Sequence, residues 1–148
     1  MLYFDDMQVG QKRSFGRYEV TREEVLEFAR KYDAQPFHLS DEAAAKTHFK
    51  RLAASGWHTC AMTMSMLVEH MGVEPQASLG AAGVDELRWL RPVYPGDVLR
   101  VETEVMEMRP SQSRPEMGSL KSRTSVFNQH DEPVMRFTAL VLMRRRPG

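Results

Sequence analysis

The stretch that decides the fold is Ser55-Gly56-Trp57-His58-Thr59-Cys60-Ala61-Met62-Thr63-Met64-Ser65-Met66-Leu67-Val68-Glu69-His70-Met71. From about Trp57 to Met71 it reads as one long helix. Trp57, Cys60, Ala61, Met64, Leu67, Val68 and Met71 recur at helical spacing on one face. Met62 and Met66 add apolar side chains on the opposite side. A helix that is apolar nearly all round is a buried one, so other elements must wrap it.

The second half of the chain supplies the wrapping. Strands are expected at Gly83 to Leu90, Val98 to Met108, Leu120 to Phe127 and Val134 to Met143. In the second of these, Val101, Thr103 and Val105 alternate with Glu102 and Glu104, the period of a half-exposed strand. Pro92-Val93-Tyr94-Pro95-Gly96-Asp97 is turn chemistry. Arg109 to Gly118 is polar, holds two prolines and reads as a loop, and Asn128 to Pro133 reads as a hairpin loop. Ahead of the helix, Lys12 to Val20 has strand character. The expected class is α+β, with an antiparallel sheet wrapped around a long central helix.

Two shorter helices precede the central one. Thr21-Arg22-Glu23-Glu24 has the form of a capping box, the Thr21 hydroxyl accepting the Glu24 amide and the Glu24 carboxylate reaching back. Val25, Phe28, Ala29 and Tyr32 then share one face. Pro36 should end this helix, because Gln35 before it is pushed out of the α region. Ser40 to Lys46 reads as the second short helix, capped by Ser40 or Asp41. Between them runs Tyr32-Asp33-Ala34-Gln35-Pro36-Phe37-His38. It sets a carboxylate and an imidazole five residues apart on a stiff loop. Such a pair can hold one water and move its protons, which is the equipment for adding water to a double bond or removing it.

The bulk numbers narrow the field. With 148 residues the chain fits a single domain spanning 1–148. Its 20 Lys and Arg against 20 Asp and Glu give zero formal charge, so there is no basic field to favour nucleic acid as a partner. Cys60 is the only cysteine, which excludes an intramolecular disulfide and a cysteine-rich zinc site. It reads as a small core residue. His48, His58, His70 and His130 lack a metal-ligand spacing, and no metal site is expected. No apolar run approaches bilayer length and no signal peptide opens the chain, so a soluble, cytoplasmic protein with no membrane partner is expected.

The loop and two further stretches resemble the MaoC-like dehydratase family, which also holds the R-specific enoyl-CoA hydratases. That family's motif runs Gly-Asp-x-Asn-Pro-aliphatic-His, and Asp33, Pro36 and His38 match it at the right spacing. Ala54-Ser55-Gly56-Trp57-His58-Thr59 and Leu90-Arg91-Pro92-Val93-Tyr94-Pro95-Gly96-Asp97 are similar to two other family segments, in the same order. Tyr32 stands where the family has Gly, Gln35 where it has Asn, Phe37 where it has a smaller aliphatic residue, and Ser55 where many hydratases carry His.

The resemblance implies a hot-dog fold and a hydratase or dehydratase acting on an enoyl (3-hydroxyacyl) thioester, CoA-linked. It puts Asp33 and His38 on acid–base duty without saying which is which. It gives the Gly56 N–H, at a helix N-terminus, the task of polarising the thioester carbonyl. Gln35, Phe37, Ser55 and Trp57 are candidate substrate contacts, with a helix cap as the alternative for Ser55 and core packing for Phe37 and Trp57. Arg88, Arg91 and Arg144-Arg145-Arg146 are candidates for the coenzyme A phosphates, with a solvated surface as the alternative for the C-terminal run. No cofactor is implied beyond the coenzyme A of the substrate, and the partner implied is a second copy in a homodimer. Two alternatives stay open: a hot-dog acyl-CoA thioesterase, and a catalytically silent acyl-CoA-binding or assembly subunit.

Overall fold

The computed structural model describes residues 1–148. Five strands form one antiparallel sheet: β1 (Lys12–Glu19), β2 (Ser78–Trp89), β3 (Val98–Pro110), β4 (Met117–Phe127) and β5 (Pro133–Arg144). Their order across the sheet is β1-β3-β4-β5-β2. Three helices, α1 (Arg22–Tyr32), α2 (Asp41–Ala45) and α3 (Gly56–Val73), lie between β1 and β2 in the chain. The sheet wraps α3, and the chain has the hot-dog fold. No helix is long and apolar enough to cross a membrane.

The strands run longer than the sequence suggests. β2 begins at Ser78, five residues before the expected Gly83, and β3 and β4 extend into the polar stretch 109–118. The reason is pairing. Arg109 and Pro110 find partners in Ser119 and Gly118, so ladder hydrogen bonds override poor strand propensity.

The central helix is buried on one side only, not nearly all round as its hydropathy implies. Its fully buried face is Thr59, Met62, Thr63 and Met66, with His58 beside it. The broader apolar face read from the sequence lies on the open side, where Trp57, Met64 and Val68 are 59%, 53% and 56% exposed. Thr63 makes the difference. Its hydroxyl donates to the Thr59 carbonyl in its own helix at 2.7 Å, so a residue scored as polar enters the core with its hydrogen bond satisfied. The two threonines and two methionines then form an i, i+3, i+4, i+7 stripe. Met62 and Met66 meet Val20, Leu99, Val101 and Val126 in the main core. The open side lines a cavity of about 660 Å³ between α3 and the sheet, bounded by Trp57, Met64, Val68, Val84 and Phe137 among others.

The close approach of β1 to α3 depends on Gly16. Its φ is +91°, at a register shift between Phe15 and Tyr18, and an added Cβ would stand 2.8 Å from the Met66 sulfur. Gly16→Ala is therefore expected to lower stability by about 1–3 kcal/mol, through overpacking and a left-handed backbone that alanine disfavours. Urea unfolding at neutral pH would measure it, and an unchanged midpoint would refute the packing argument.

Candidate active site

Helix α1 delivers the first candidate group, Asp33. Thr21 caps it, accepting the Glu24 N–H at 3.3 Å. The reciprocal half of the expected capping box does not form, because the Glu24 carboxylate turns to Tyr18 and His58 instead. The helix stops at Tyr32, and Asp33 is its C-cap with a non-helical backbone (φ −154°, ψ 68°). Gln35 is extended, as a residue before proline should be. Pro36 opens a single 3-10 turn, Pro36–His38, and this turn swings the imidazole back towards the carboxylate.

The two groups are held differently. His38 is 4% exposed, and its Nδ1 lies 2.7 Å from the Ala53 carbonyl. A carbonyl only accepts, so Nδ1 carries a proton, and the neutral form of the ring presents a bare Nε2. That Nε2 is 3.6 Å from Asp33 Oδ2, beyond direct hydrogen-bonding range. Asp33 is gripped from two sides: Gln35 Nε2 donates to Oδ1 at 2.6 Å and Ser55 Oγ donates to Oδ2 at 2.7 Å. Burial pushes its carboxyl up, but the Gln35 and Ser55 hydrogen bonds favour the charged form and hold it below the usual carboxylate range. The loop therefore places two proton acceptors side by side, close enough to share one water.

Gly56 is the first residue of α3, so its N–H has no acceptor within the helix. Its carbonyl accepts from Trp89 Nε1 at 2.9 Å, and the indole lies where a Cβ would be, with Cε2 only 2.4 Å from that position. Glycine is thus required here by the ring beside it. Ser55, fully buried, precedes Gly56 and brings Asp33 to the same helix end.

The residues expected to contact substrate are placed unequally. Gln35 and Ser55 donate to Asp33, and the Ser55 hydroxyl makes no helix cap. Phe37 meets the His38 ring edge-on at 4.6 Å and stacks on Phe49 at 5.2 Å. Trp57 meets Trp89 edge-on at 5.1 Å and lines the cavity beside α3. Arg145 and Arg146 pair with Asp5 and Asp6, at the strand ends far along α3 from Gly56. Ala53 and Trp89 complete the site without any signal in the sequence, since each acts through a backbone carbonyl or an indole N–H made local only by folding.

With this geometry in hand, comparison with known proteins is decisive on family. The MaoC like domain matches residues 6–127. The chain belongs to the MaoC-like family. A MaoC-like dehydratase of Rhodospirillum rubrum has a crystal structure that superposes with a TM-score of 0.91, at 42% identity and covering 100% of both chains. The 3-hydroxybutyryl-CoA dehydratase of Methylorubrum extorquens is 31% identical over 116 residues, 77% of this chain and 70% of that protein. The uncharacterized protein YdeM of Bacillus subtilis is 28% identical over 141 residues, 95% of this chain and 98% of YdeM. This is a family of hydratases and dehydratases, with CoA-ester enzymes among the relatives of this MaoC-like chain.

The Ser55 contact makes a direct prediction. Ser55→Ala removes a hydrogen bond that favours the charged carboxylate, so the Asp33 pKa should rise. If activity needs the carboxylate ionised, the acid limb of the pH–rate profile moves to higher pH. A profile superimposable on the wild type would show that Asp33 does not set that limb.

Proposed function

We propose that this protein adds water to a trans-2-enoyl thioester, and removes it from the 3-hydroxyacyl product, with coenzyme A as the carrier. The observation that carries the reading is the pair of acceptors, Asp33 Oδ2 and His38 Nε2, 3.6 Å apart beside the N-terminus of α3. A water between them can donate a hydrogen to each. As its oxygen attacks the β-carbon, the β-carbon–oxygen bond forms and the alkene π electrons move towards the thioester carbonyl. The Gly56 N–H stabilises the negative charge gathering on that oxygen, a contribution of roughly 3–4 kcal/mol in comparable sites. One water proton passes to the Asp33/His38 pair and then to the α-carbon. The pair starts as acceptors only, so the proton it delivers is the water's own, and the net change is one water added.

The acyl chain would run from Gly56 past Trp57 into the 660 Å³ cavity along α3. Phe37 would border the reacting end. Gln35 and Ser55 would serve the substrate indirectly, by fixing Asp33. Hydration moves protons and no electrons, so no redox cofactor or metal is called for, and turnover is expected to survive exhaustive chelation. The name of the Methylorubrum relative, a dehydratase of a CoA ester, supports the reaction class and the carrier.

We propose further that residues 1–148 act as one domain in a homodimer. Outer strand β2 exposes Leu79, Val84 and Trp89 beside Met64 and Val68 of α3, an apolar surface of the kind a second copy would cover. Light scattering at micromolar concentration should return twice the monomer mass.

The deciding assay offers short, medium and branched enoyl-CoA esters and follows alkene loss and thiol release together. Alkene loss without thiol release is expected. Thiol release alone would replace this reading with a thioesterase, and binding with neither reaction would replace it with a silent subunit.

A further inference from the structure

One buried titratable cluster takes no part in the chemistry above. His58, in the first turn of α3, is 3% exposed. Its ring stacks on Phe28 of α1, with centroids 4.7 Å apart and planes within 7°. Its Nε2 lies 3.3 Å from Glu24 Oε1, and the Tyr18 hydroxyl of β1 donates to that same oxygen. Its Nδ1 is buried with no hydrogen-bond partner. Burial pushes this imidazole down, against the opposing pull of Glu24, so the ring is neutral with its proton on Nε2. A leucine would fill the space without stranding a polar atom. Packing alone does not account for a histidine here.

The position of the cluster supplies a reason. Helix α1 crosses the start of α3 and is fastened to it at both ends. Near the start of α1, Glu24 meets His58, and at its finish Asp33 meets Ser55, the residue before α3. Between these ties, Val25 and Ala29 are fully buried and act as the fulcrum. We propose that Tyr18, Glu24 and His58 form a positioning device, which sets the tilt of α1 and so the place of the Asp33 carboxylate relative to His38 and Gly56. The proposal rests on the reading of that loop as the hydration site.

The leverage is large. Asp33 stands about six residues beyond the middle of the Val25–Ala29 contact, roughly 9 Å at the helical rise. A tilt of roughly 6° therefore moves the carboxylate by about 1 Å. A misplacement of that size can cost on the order of 100-fold in rate. His58 touches no reacting atom and acts only through α1.

Two variants of the full chain test this, His58→Leu and His58→Gln. His58→Leu is expected to lower kcat about 10- to 100-fold with KM little changed, while the thermal midpoint holds or rises. His58→Gln, whose amide N–H can reach Glu24, should recover most of kcat. In parallel, the 15N resonances of the His38 ring and the 13C resonance of the Asp33 carboxylate are recorded without substrate. They should move in His58→Leu and return in His58→Gln. Unmoved resonances overturn the proposal, whatever kcat does. So does a loss of kcat that only tracks a loss of folded protein. If the wild type hydrates no enoyl-CoA, the reaction reading fails separately, and the resonances still decide whether His58 positions the loop.

Discussion

Asp33→Asn is expected to lower kcat for enoyl-CoA hydration by about 10²- to 10⁴-fold, the range spanned by positioned acid–base groups. Asparagine keeps the shape of the side chain and can still accept from Ser55, but it cannot take a proton from water. Stability should change by no more than about 1 kcal/mol, because the carboxylate lies at a helix end and is part-exposed. His38→Ala should cost as much activity but is a less clean experiment. It strands the Ala53 carbonyl that Nδ1 satisfies at 2.7 Å, adding a folding penalty of about 1–3 kcal/mol. The comparison is informative in that order. Equal kinetic losses with unequal melting temperatures would mark the pair as one catalytic unit. Near-normal turnover in folded Asp33→Asn would end the hydratase mechanism as drawn here.

Gly56→Ala should be the other severe substitution. A single methyl would stand 2.4 Å from Trp89 Cε2 and 2.6 Å from Nε1. The indole must then leave, breaking its bond to the Gly56 carbonyl and its edge contact with Trp57. Overpacking of this kind costs about 1–3 kcal/mol. The disruption falls on the residue whose N–H is the proposed donor, and a loss of the order of 10² in kcat is expected if that donor polarises the thioester. Removing the clash with Trp89→Ala in the same chain separates the two effects. Relative to Trp89→Ala alone, the added methyl should cost no further stability while activity still falls. No change in either would mean that Gly56 matters only for packing.

The architecture was largely legible in one dimension. A methionine-rich, nearly uncharged helix followed by long alternating strands leaves few arrangements that bury the helix, and the sheet around α3 is one of them. The turn at Pro36 was legible for a local reason, since proline restricts its own backbone and that of Gln35. The roll of α3 about its own axis was not legible. Hydropathy counts Thr59 and Thr63 as polar and Trp57 and Met64 as apolar. It cannot register that Thr63 satisfies its hydroxyl within the helix, nor that Met66 fits the space beneath Gly16 of β1.

The candidate site divides in the same way. Asp33 and His38 were nameable because both sit on one short loop whose spacing is written in the chain. Their surroundings were not. Ser55 is 22 residues from Asp33, Ala53 is 15 from His38 and Trp89 is 33 from Gly56. Glu24 was read as half of a capping box, a local bond, and folding turned it instead to Tyr18 on β1 and to His58, 34 residues away. Sequence by itself determined the candidate acid–base loop, the helix that ends at it and the class of fold, because these follow from residue spacing, backbone restriction and periodicity. Tertiary structure alone decided which acceptor faces which, what holds the carboxylate ionised and why residue 56 must be glycine. Each of those depends on a hydrogen bond or a contact of a few ångströms between segments that the chain order keeps apart.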